Sequence, residues 1–399
     1  MGSSPLPRHR SSVTYSSLYA RKMRCFALFA LPLLATAQLP APEFQIDLDQ
    51  PPHQRHREVA QYFKEDYPNL MMGWETTLQM LMSSEERAEW MLNHNLGQEF
   101  MDEIRGFVEE MDHPKVTFER VLLFNLINEV GYKSFCSGVL VTDPTGRVMH
   151  GRNLDFKLEY KSGRAHRHIG MMSTNLTYVR NGVPVFNAPS WAGYIGLHTA
   201  LKLQGRHPWS FQQNTHYRND GHANLQAQKS GAMPLGLYMR RLIEEDVDFR
   251  TAVLKIESTR FSAPAFVMMA GAAPWEGTSM EITRNSSDTM ANLAKAQVLS
   301  PQIGRWFLVQ TNDRPWGEAM DDRRPAAVEM LRLLGSPFVV DEEKMMELMR
   351  SEPLFNKQTV LSLVTSPATG YSQALTHGEY GVGLELLSKF RRFKVFLSP

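Results

Sequence analysis

The chain has 399 residues, of which 43% are hydrophobic and 21% charged, the composition of an ordinary globular protein with one large or two smaller domains. Its formal net charge is +1, so the protein carries no strong overall field of either sign. This balance argues against a nucleic-acid partner, because such a partner requires a basic surface.

The N-terminus predicts a secretory signal. A basic flank at residues 21–24 precedes an apolar run at residues 25–34 and a small-x-small cleavage site at residues 35–37. The run is about half as long as the ~20 apolar residues of a membrane span, which favours cleavage over a membrane anchor. We therefore expect residues 1–37 to be removed. The mature chain then keeps one cysteine, Cys136, which excludes an internal disulfide.

Two glycosylation motifs agree with this route. Asn175 and Asn285 each begin an N-x-[ST] sequence, a short motif that also occurs by chance. Together with the signal, they predict a glycoprotein of the secretory pathway, either lysosomal or secreted.

The mature chain begins with a proline-rich segment, residues 38–55, that we expect to be extended. Apolar residues then recur at helical spacing over about residues 58–129. Within this stretch Ser83 and Glu86 form a capping box, which is a signature of a helix start. The sequence therefore predicts a helical block before the first long strand.

A dense apolar stripe lies inside this block, at residues 70–74 and 78–82. Met-rich stripes of this kind most often belong to a core. The alternative interpretation is an exposed patch that contacts lipid, with Met71, Met72 and Trp74 facing the membrane.

A β-hairpin is predicted where the helical block ends. Two alternating stretches, residues 137–142 and 147–154, flank a turn that contains proline and glycine. Because the ends of antiparallel strands lie side by side, Cys136 on one strand should meet Arg152 and Asp155 on the other. An ion pair that closes the hairpin is the alternative interpretation of Arg152 and Asp155.

Strands and helices alternate beyond the hairpin. Strands are predicted at residues 169–180, 183–187, 193–198, 265–271, 278–284, 306–310, 359–364 and 380–387. Helices are predicted at residues 235–245, 249–256, 325–334 and 341–350. This order suits a layered α+β domain.

Common catalytic and metal-binding motifs are absent from the sequence, including G-x-S-x-G, H-E-x-x-H, the P-loop and C-x-x-C. His166 and His168 fit the polar face of a strand better than a metal site. We therefore expect neither a metal nor a cofactor.

Four short motifs are more specific in combination than any is alone. They are Cys136, G-R-N-x-D at residues 151–155, Q-T-N-D at residues 310–313 and D-D-R-R at residues 321–324. In this order they resemble the acid ceramidase and N-acylethanolamine-hydrolyzing acid amidase family, over residues 44–388. Further matching stretches lie at residues 193–197, 282–285 and 356–360.

The resemblance implies an N-terminal nucleophile hydrolase with a four-layer αββα sandwich. It implies a proenzyme that cuts itself between Phe135 and Cys136. Residues 38–135 would then form a helical α chain, residues 136–399 would form a catalytic β chain, and the two would stay together as a heterodimer.

The cut has a chemical purpose. A thiol has a reference pKa of about 8.5 and needs a base to become a good nucleophile. At a new terminus, the α-amino group of Cys136 supplies that base. The resemblance implies that Arg152 favours the thiolate and disfavours the ammonium, and that Asp155 accepts hydrogen bonds from the α-amino group. It further implies that the Asn312 side-chain amide stabilises the oxyanion and that Arg323 buttresses the site.

Some positions depart from the family pattern. Phe156 replaces a tyrosine after the motif aspartate, and residues 311–313 read T-N-D instead of T-N-Y-D. His198 stands where the amidases have a tryptophan, and Tyr217 falls near a glutamate associated with the control of self-cleavage. These departures bear on substrate preference and on the pH trigger.

The expected substrate is a fatty acyl ethanolamide, because acid ceramidases carry disulfide cysteines that the mature chain lacks. Ceramide is the alternative substrate. Since either lipid must leave a bilayer, a membrane surface is an expected partner, and a sphingolipid activator protein is a further candidate. An interpretation from another class is a non-catalytic lipid-binding protein that keeps the fold and remains uncut.

Overall fold

The computed structural model describes residues 38–205, 207–284, 296–335 and 340–377. The expected signal at residues 1–37, the motif at Asn285 and the strand expected at residues 380–387 lie outside this part of the chain.

The predicted helical block is confirmed. Two short strands precede it, β1 (Gln38–Pro40) and β2 (Glu43–Asp47). Its helices are α1 (Arg57–Tyr62), α2 (Tyr67–Leu81), α3 (Ser84–Leu92), α4 (Gln98–Met111) and α5 (Phe118–Asn125). The predicted capping box starts α3, because the Ser83 hydroxyl accepts from the Glu86 amide and the Glu86 carboxylate accepts from the Ser83 amide.

One sheet carries the predicted hairpin. Its described strands are, in spatial order, β1, β16 (Tyr371–His377), β15 (Thr359–Ser366), β4 (Val148–Asp155), β3 (Phe135–Thr142) and β14 (Phe307–Gln310), with antiparallel neighbours throughout. The Asp143 carboxylate closes the hairpin turn by accepting from the amides of Thr145 and Arg147.

A second sheet lies against the first. Its described strands are, in spatial order, β13 (Gln297–Val298), β12 (Gly277–Ile282), β11 (Ala265–Gly271), β10 (Trp209–Thr215), β9 (Thr199–Lys202), β8 (Val183–Trp191), β7 (Ser173–Arg180) and β2. The β2–β7 pair is parallel and the other pairs are antiparallel. A separate hairpin of β5 (Glu159–Ser162) and β6 (Ala165–His168) holds His166 and His168 on a strand.

Two strand predictions need correction. Residues 169–172 form a 3₁₀ turn, so the strand begins only at Ser173. Residues 193–198 form an irregular segment, and the strand begins only at Thr199, because the Asn125 side chain binds part of the segment's backbone. It accepts from the Ile195 amide at 2.6 Å and donates to the Gly193 carbonyl at 2.8 Å.

Helices cover both outer faces of the paired sheets. They are α6 (Gly221–Lys229), α7 (Leu235–Glu244), α8 (Phe249–Ser258), α9 (Arg323–Leu334) and α10 (Glu342–Met349). Between the sheets, Leu140 and Val148 of the first sheet pack with Met268 of the second. Helices α9 and α10 pack on the other face of the first sheet, and α7 and α8 contact the second. The predicted αββα sandwich is therefore confirmed.

The core interpretation of the apolar stripe on α2 is confirmed for Met71 and Trp74, and the alternative, lipid-facing interpretation is wrong for these two residues. Met71 and Trp74 are completely buried, and Trp74 packs on Phe124 and donates its indole N–H to the Arg120 carbonyl. Positions three apart share one helix face, and here that face packs on α5. Met72 lies off this face and is 39% exposed.

One of the two predicted glycosylation sites, Asn175, lies within the described residues. Asn175 lies in β7, half-buried, and its side chain accepts from the Asn187 side chain at 2.8 Å. Its glycosylation stays a prediction. Within the described ranges, no helix is long and apolar enough to cross a membrane.

A buried ionic cluster joins the N-terminal helices to the rest of the chain. Glu103 of α4 and Arg240 of α7 are both fully buried, 3.3 Å apart. Arg55 and His56 also contact the Glu103 carboxylate. Burial alone would raise the pKa of Glu103, but the Arg240 and Arg55 charges and the hydrogen bond with His56 hold it well below its usual range. The carboxylate is therefore ionised and matched inside the protein.

Glu103→Ala should lower the free energy of unfolding by ~3–5 kcal/mol, because it removes the buried carboxylate that Arg240 and Arg55 share and leaves Arg240 only its part-exposed partner Glu244. Glu99→Ala is the matched control on the same helix, since Glu99 is an exposed partner of Arg55 and should cost at most ~1 kcal/mol. Urea unfolding followed by tryptophan fluorescence measures both. Equal losses in the two variants would contradict a special role for the buried pair.

Candidate active site

The hairpin brings Cys136 and Arg152 together on one face of the first sheet. Cys136 pairs with Leu154 and Gly138 with Arg152, so both side chains lie on the face toward the second sheet. Cys136 is 1% exposed and its thiol is free. The Arg152 guanidinium donates to Cys136 Sγ at 3.7 Å through Nη2 and to the His198 carbonyl at 2.7 Å through Nη1.

Arg152 is buried at 1% exposure. Burial lowers its pKa, whereas Cys136 and Asp155 raise it. A guanidinium remains protonated even so, and its charge favours the thiolate form of a neighbouring cysteine. Arg152 Nε has no hydrogen-bond partner within the described residues, so this buried charge is incompletely matched.

Asp155, in β4, lies on the opposite face of the first sheet from the Cys136 side chain. Its Oδ2 accepts from Asn356 Nδ2 at 3.1 Å and is 3.6 Å from Arg323 Nη1. Burial raises the pKa of Asp155 to about 6, although Arg323, Thr359 and Asn356 act in the opposite direction. Its Oδ1 is a buried acceptor to which no described residue donates.

Asn312 lies at the point where the two sheets meet beside the cysteine. Its Oδ1 accepts from the Cys136 amide at 2.7 Å and from Arg323 Nη2 at 3.0 Å. Its Nδ2 donates to the carbonyls of Ser134 at 3.1 Å and Thr215 at 2.7 Å. Two donors on one side and two acceptors on the other leave one orientation of the amide. Both hydrogens of Asn312 Nδ2 are therefore in use, and none is left for a further acceptor.

Arg323 begins helix α9 and connects several of these groups. Its Nη1 donates to the Cys136 carbonyl at 2.8 Å and to Ser137 Oγ at 3.3 Å. Its Nη2 donates to Asn312 Oδ1, and Asp321 anchors the guanidinium at 2.7 Å. The guanidinium thus lies against the backbone of the cysteine, where the buttress was expected.

Phe135, the residue before the cysteine, is 39% exposed. The Arg323 guanidinium lies 5.6 Å from its ring centroid, and Lys157 Nζ lies 5.2 Å from it. The bond that the sequence predicts to be cut therefore lies where the buried site reaches the surface.

Two of the positions that depart from the family pattern, Phe156 and His198, are aromatic packing positions. Phe156 stacks on Tyr132 at 5.4 Å and contacts Trp191 edge-on at 4.5 Å. His198 stacks on Tyr194 at 4.2 Å. Burial lowers the pKa of His198 well below its usual range, so its ring is neutral. These rings form an apolar wall behind Arg152.

Tyr217 belongs to different surroundings. Its ring stacks on His216 at 4.4 Å, and the Arg218 guanidinium lies 5.3 Å from its centroid. His216 in turn contacts the buried carboxylate of Glu281 at 3.0 Å.

Several site residues were not predicted from the sequence. Asn356 and Thr359, which hold Asp155, lie in the stretch 356–360 that carried the family resemblance without an assigned role. Ser134 contacts the cysteine sulfur, and Thr215 contacts Ser134. Their small polar side chains were the only signal for them in the sequence. Ser134 lies two residues before the cysteine, on the same side of the predicted cut as Phe135.

Glu129 is a buried carboxyl in the segment that leads to Cys136. One of its oxygens accepts from the Leu235 amide at 3.3 Å, and its backbone carbonyl accepts from Asn224. Burial raises the pKa of Glu129 from 4.5 to about 7. The segment before the cysteine therefore contains a carboxyl that is protonated under acidic conditions and charged above neutral pH.

Comparisons with known proteins place the chain among lipid amidases. No family model matches the chain. The N-acylethanolamine-hydrolyzing acid amidase of Cavia porcellus is 30% identical over 279 residues, covering 69% of this chain and 72% of the relative. The acid ceramidase of Pan troglodytes is 26% identical over 352 residues, covering 83% of this chain and 85% of the relative.

A solved structure of the Caenorhabditis elegans N-acylethanolamine-hydrolyzing acid amidase ortholog aligns with a TM-score of 0.49 at 24% identity. The alignment covers 58% of this chain and 93% of the solved one.

Glu129→Gln should flatten the dependence of stability on pH. The folded chain keeps a proton on Glu129 that the unfolded chain releases above about pH 4.5. The resulting stabilisation is fully present below that pH and is lost as the pH rises through about 7. The loss is of the order of 3 kcal/mol.

Chemical unfolding at several values across this pH window measures the effect. Glu129→Gln should reduce the fall in stability of the parent protein, because glutamine remains neutral. Glu65→Gln is the control, since Glu65 is exposed on the surface. If the parent and Glu129→Gln lost stability equally between the ends of the window, the raised pKa would be refuted.

Proposed function

This chain belongs to the family of N-acylethanolamine-hydrolyzing acid amidases and acid ceramidases and is an amide-bond hydrolase; from that premise we propose that it splits N-acylethanolamines into fatty acid and ethanolamine after cutting itself before Cys136. The observation that carries the proposal is the set of contacts around the cysteine. Arg152 lies against its sulfur, and Asn312 and Arg323 hold its backbone.

The self-cut creates the base that the thiol requires. Once the Phe135–Cys136 bond is hydrolysed, the nitrogen of Cys136 is an α-amino group with a reference pKa of about 7.7–8.0. The Arg152 charge lowers that pKa and favours the thiolate. Asp155 Oδ1, the buried acceptor to which no described residue donates, is available to the new amine and holds it in position.

Asn312 is the oxyanion donor of the cut enzyme. In the uncut chain its Nδ2 is occupied by the Ser134 and Thr215 carbonyls. Ser134 lies on the α side of the cut and becomes free to withdraw, which releases one Nδ2 hydrogen. Losing such a donor costs on the order of 10²–10³ in rate.

The two fragments stay associated because buried contacts cross between them. Residues 38–135 supply β1 to one sheet and β2 to the other. The Glu103–Arg240 pair links the same fragment to α7. The mature protein is therefore proposed to be a heterodimer of its own fragments, in the lysosome or the secretory lumen.

An apolar rim supports a lipid substrate. The loop that connects Asn312 to Arg323 exposes Trp316 at 37% and Met320 at 65%. Both ends of this loop contact the backbone of Cys136, so we propose that its exposed apolar side chains, with Phe135, receive the acyl chain. A membrane surface is the proposed source of the lipid, and a sphingolipid activator protein is a candidate helper in extracting it.

Two other functions remain as alternatives. Ceramide hydrolysis is supported by the similarity to acid ceramidases. The presence of one cysteine in the expected mature chain, too few for a disulfide, favours ethanolamides instead. A non-catalytic lipid carrier is the alternative from another class, and it would remain an intact chain.

The test is a panel of N-acylethanolamines and ceramides at about pH 5, the acidic condition that the names of the relatives imply. We expect two fragments on a denaturing gel, Cys136 at the terminus of the larger one, and faster release of ethanolamine than of sphingosine. Cys136→Ala should give one band and no hydrolysis. Preferential ceramide turnover would favour the first alternative, and lipid binding by an uncut chain without hydrolysis would favour the second.

A further inference from the structure

The hydroxyl of Ser134 contacts the sulfur of Cys136 from the side of the chain that the cut removes. Ser134 Oγ lies 3.7 Å from Cys136 Sγ, and both residues are buried. We propose that Ser134 is a positioning residue for self-cleavage, which orients the thiol in the uncut chain and has a smaller role once the chain is cut. This inference rests on the proposed self-cleaving function.

The neighbouring hydrogen bonds determine the direction of the contact. Thr215 Oγ1 donates to Asn128 Oδ1 at 3.1 Å, which uses its one hydrogen. At 2.6 Å from Ser134 Oγ, Thr215 Oγ1 can therefore only accept, so the hydrogen of Ser134 is directed to Thr215. Ser134 Oγ is then an acceptor toward Cys136, and the thiol hydrogen is directed to it.

The far end of this chain of bonds is also buried. Asn128 Nδ2 lies 3.3 Å from His198 Nδ1, which leaves Asn128 Oδ1 facing Thr215. The backbone carbonyl of His198 accepts from Arg152. The sulfur thus lies between an acceptor for its hydrogen, Ser134, and a positive charge, Arg152.

The uncut chain depends on neighbouring groups to orient the thiol, because the nitrogen of Cys136 is not yet an amine. The nitrogen of Cys136 is a peptide amide that donates to Asn312 at 2.7 Å. In the cut, sulfur bonds to the carbonyl carbon of Phe135 while the carbon–nitrogen bond breaks. The proton that sulfur loses balances the one that the departing nitrogen gains. Water then hydrolyses the thioester, which frees the thiol and leaves a carboxylate on Phe135.

Ser134 also acts through its backbone. Its carbonyl accepts from Asn312 Nδ2 at 3.1 Å, so the residue that orients the thiol also occupies the proposed oxyanion donor. Both contacts belong to the fragment that ends at Phe135. Once the Phe135–Cys136 bond is cut, the new α-amino group is the base for the thiol, and the Ser134 hydroxyl is no longer needed to orient it.

The test compares the rate of self-cleavage with the turnover of cut enzyme. Uncut Ser134→Ala, Ser134→Thr and parent precursors are shifted to about pH 5, and their cleavage is followed on denaturing gels. Ser134→Ala should cut about tenfold more slowly, the loss expected from one hydrogen bond to the reacting group. Turnover per cut molecule should fall much less, and Ser134→Thr, which keeps a hydroxyl, should restore cleavage.

Several outcomes would overturn the inference. Cleavage of Ser134→Ala at the parental rate, or equal losses in cleavage and turnover, would show that the hydroxyl is only structural. If Ser134→Ala does not accumulate folded, Thr215→Val provides the same test, because it removes the acceptor that directs the Ser134 hydrogen. Cleavage of the Cys136→Ala control would instead overturn the proposed function itself.

Discussion

The side-chain amide of Asn312 is the interaction on which the site depends. It joins the backbone of Cys136 in the first sheet to the carbonyl of Thr215 in the second. It also binds Arg323 at the start of α9 and the carbonyl of Ser134. A buried amide with all four partners is rigid, since each bond left unmade would cost the full desolvation penalty. The two sheets and α9 therefore hold the cysteine in one geometry.

The charges around this amide are less completely matched. Arg152 Nε and Asp155 Oδ1 are buried atoms that no described residue bonds. Unmatched buried polar atoms are unfavourable to folding and concentrate where a protein performs chemistry. Both atoms bear on the proposed function, in which the new α-amino group donates to the Asp155 carboxylate and a thiolate balances the Arg152 charge.

Buried contacts also connect the two proposed fragments. Residues before Cys136 contribute a strand to each sheet and a fully buried carboxylate, Glu103, to a cluster with Arg240. Such a segment cannot leave without exposing sheet edges and unpaired charge. Local withdrawal of Ser134 and Phe135 is compatible with these anchors, whereas loss of the whole segment is not.

The sequence alone determined the elements with strong local signals. The Ser83–Glu86 capping box and the hairpin around the Asp143 turn were predicted because their hydrogen bonds join residues close in the chain. The motif pieces that contain Cys136, Arg152 and Asn312 were also readable, because their residue types and order are specific.

Only the tertiary structure decided which of these groups meet and how. It placed Asp155 on the opposite strand face from the sulfur and turned residues 193–198 out of a strand through Asn125. It buried Met71 and Trp74, although the sequence of an apolar stripe does not differ between one covered by protein and one covered by lipid. Ser134 depends on Thr215, far along the chain, for the direction of its hydrogen bond. Burial and hydrogen-bond direction are determined by partners that are distant in the sequence. The local spacing of residues does not identify those partners.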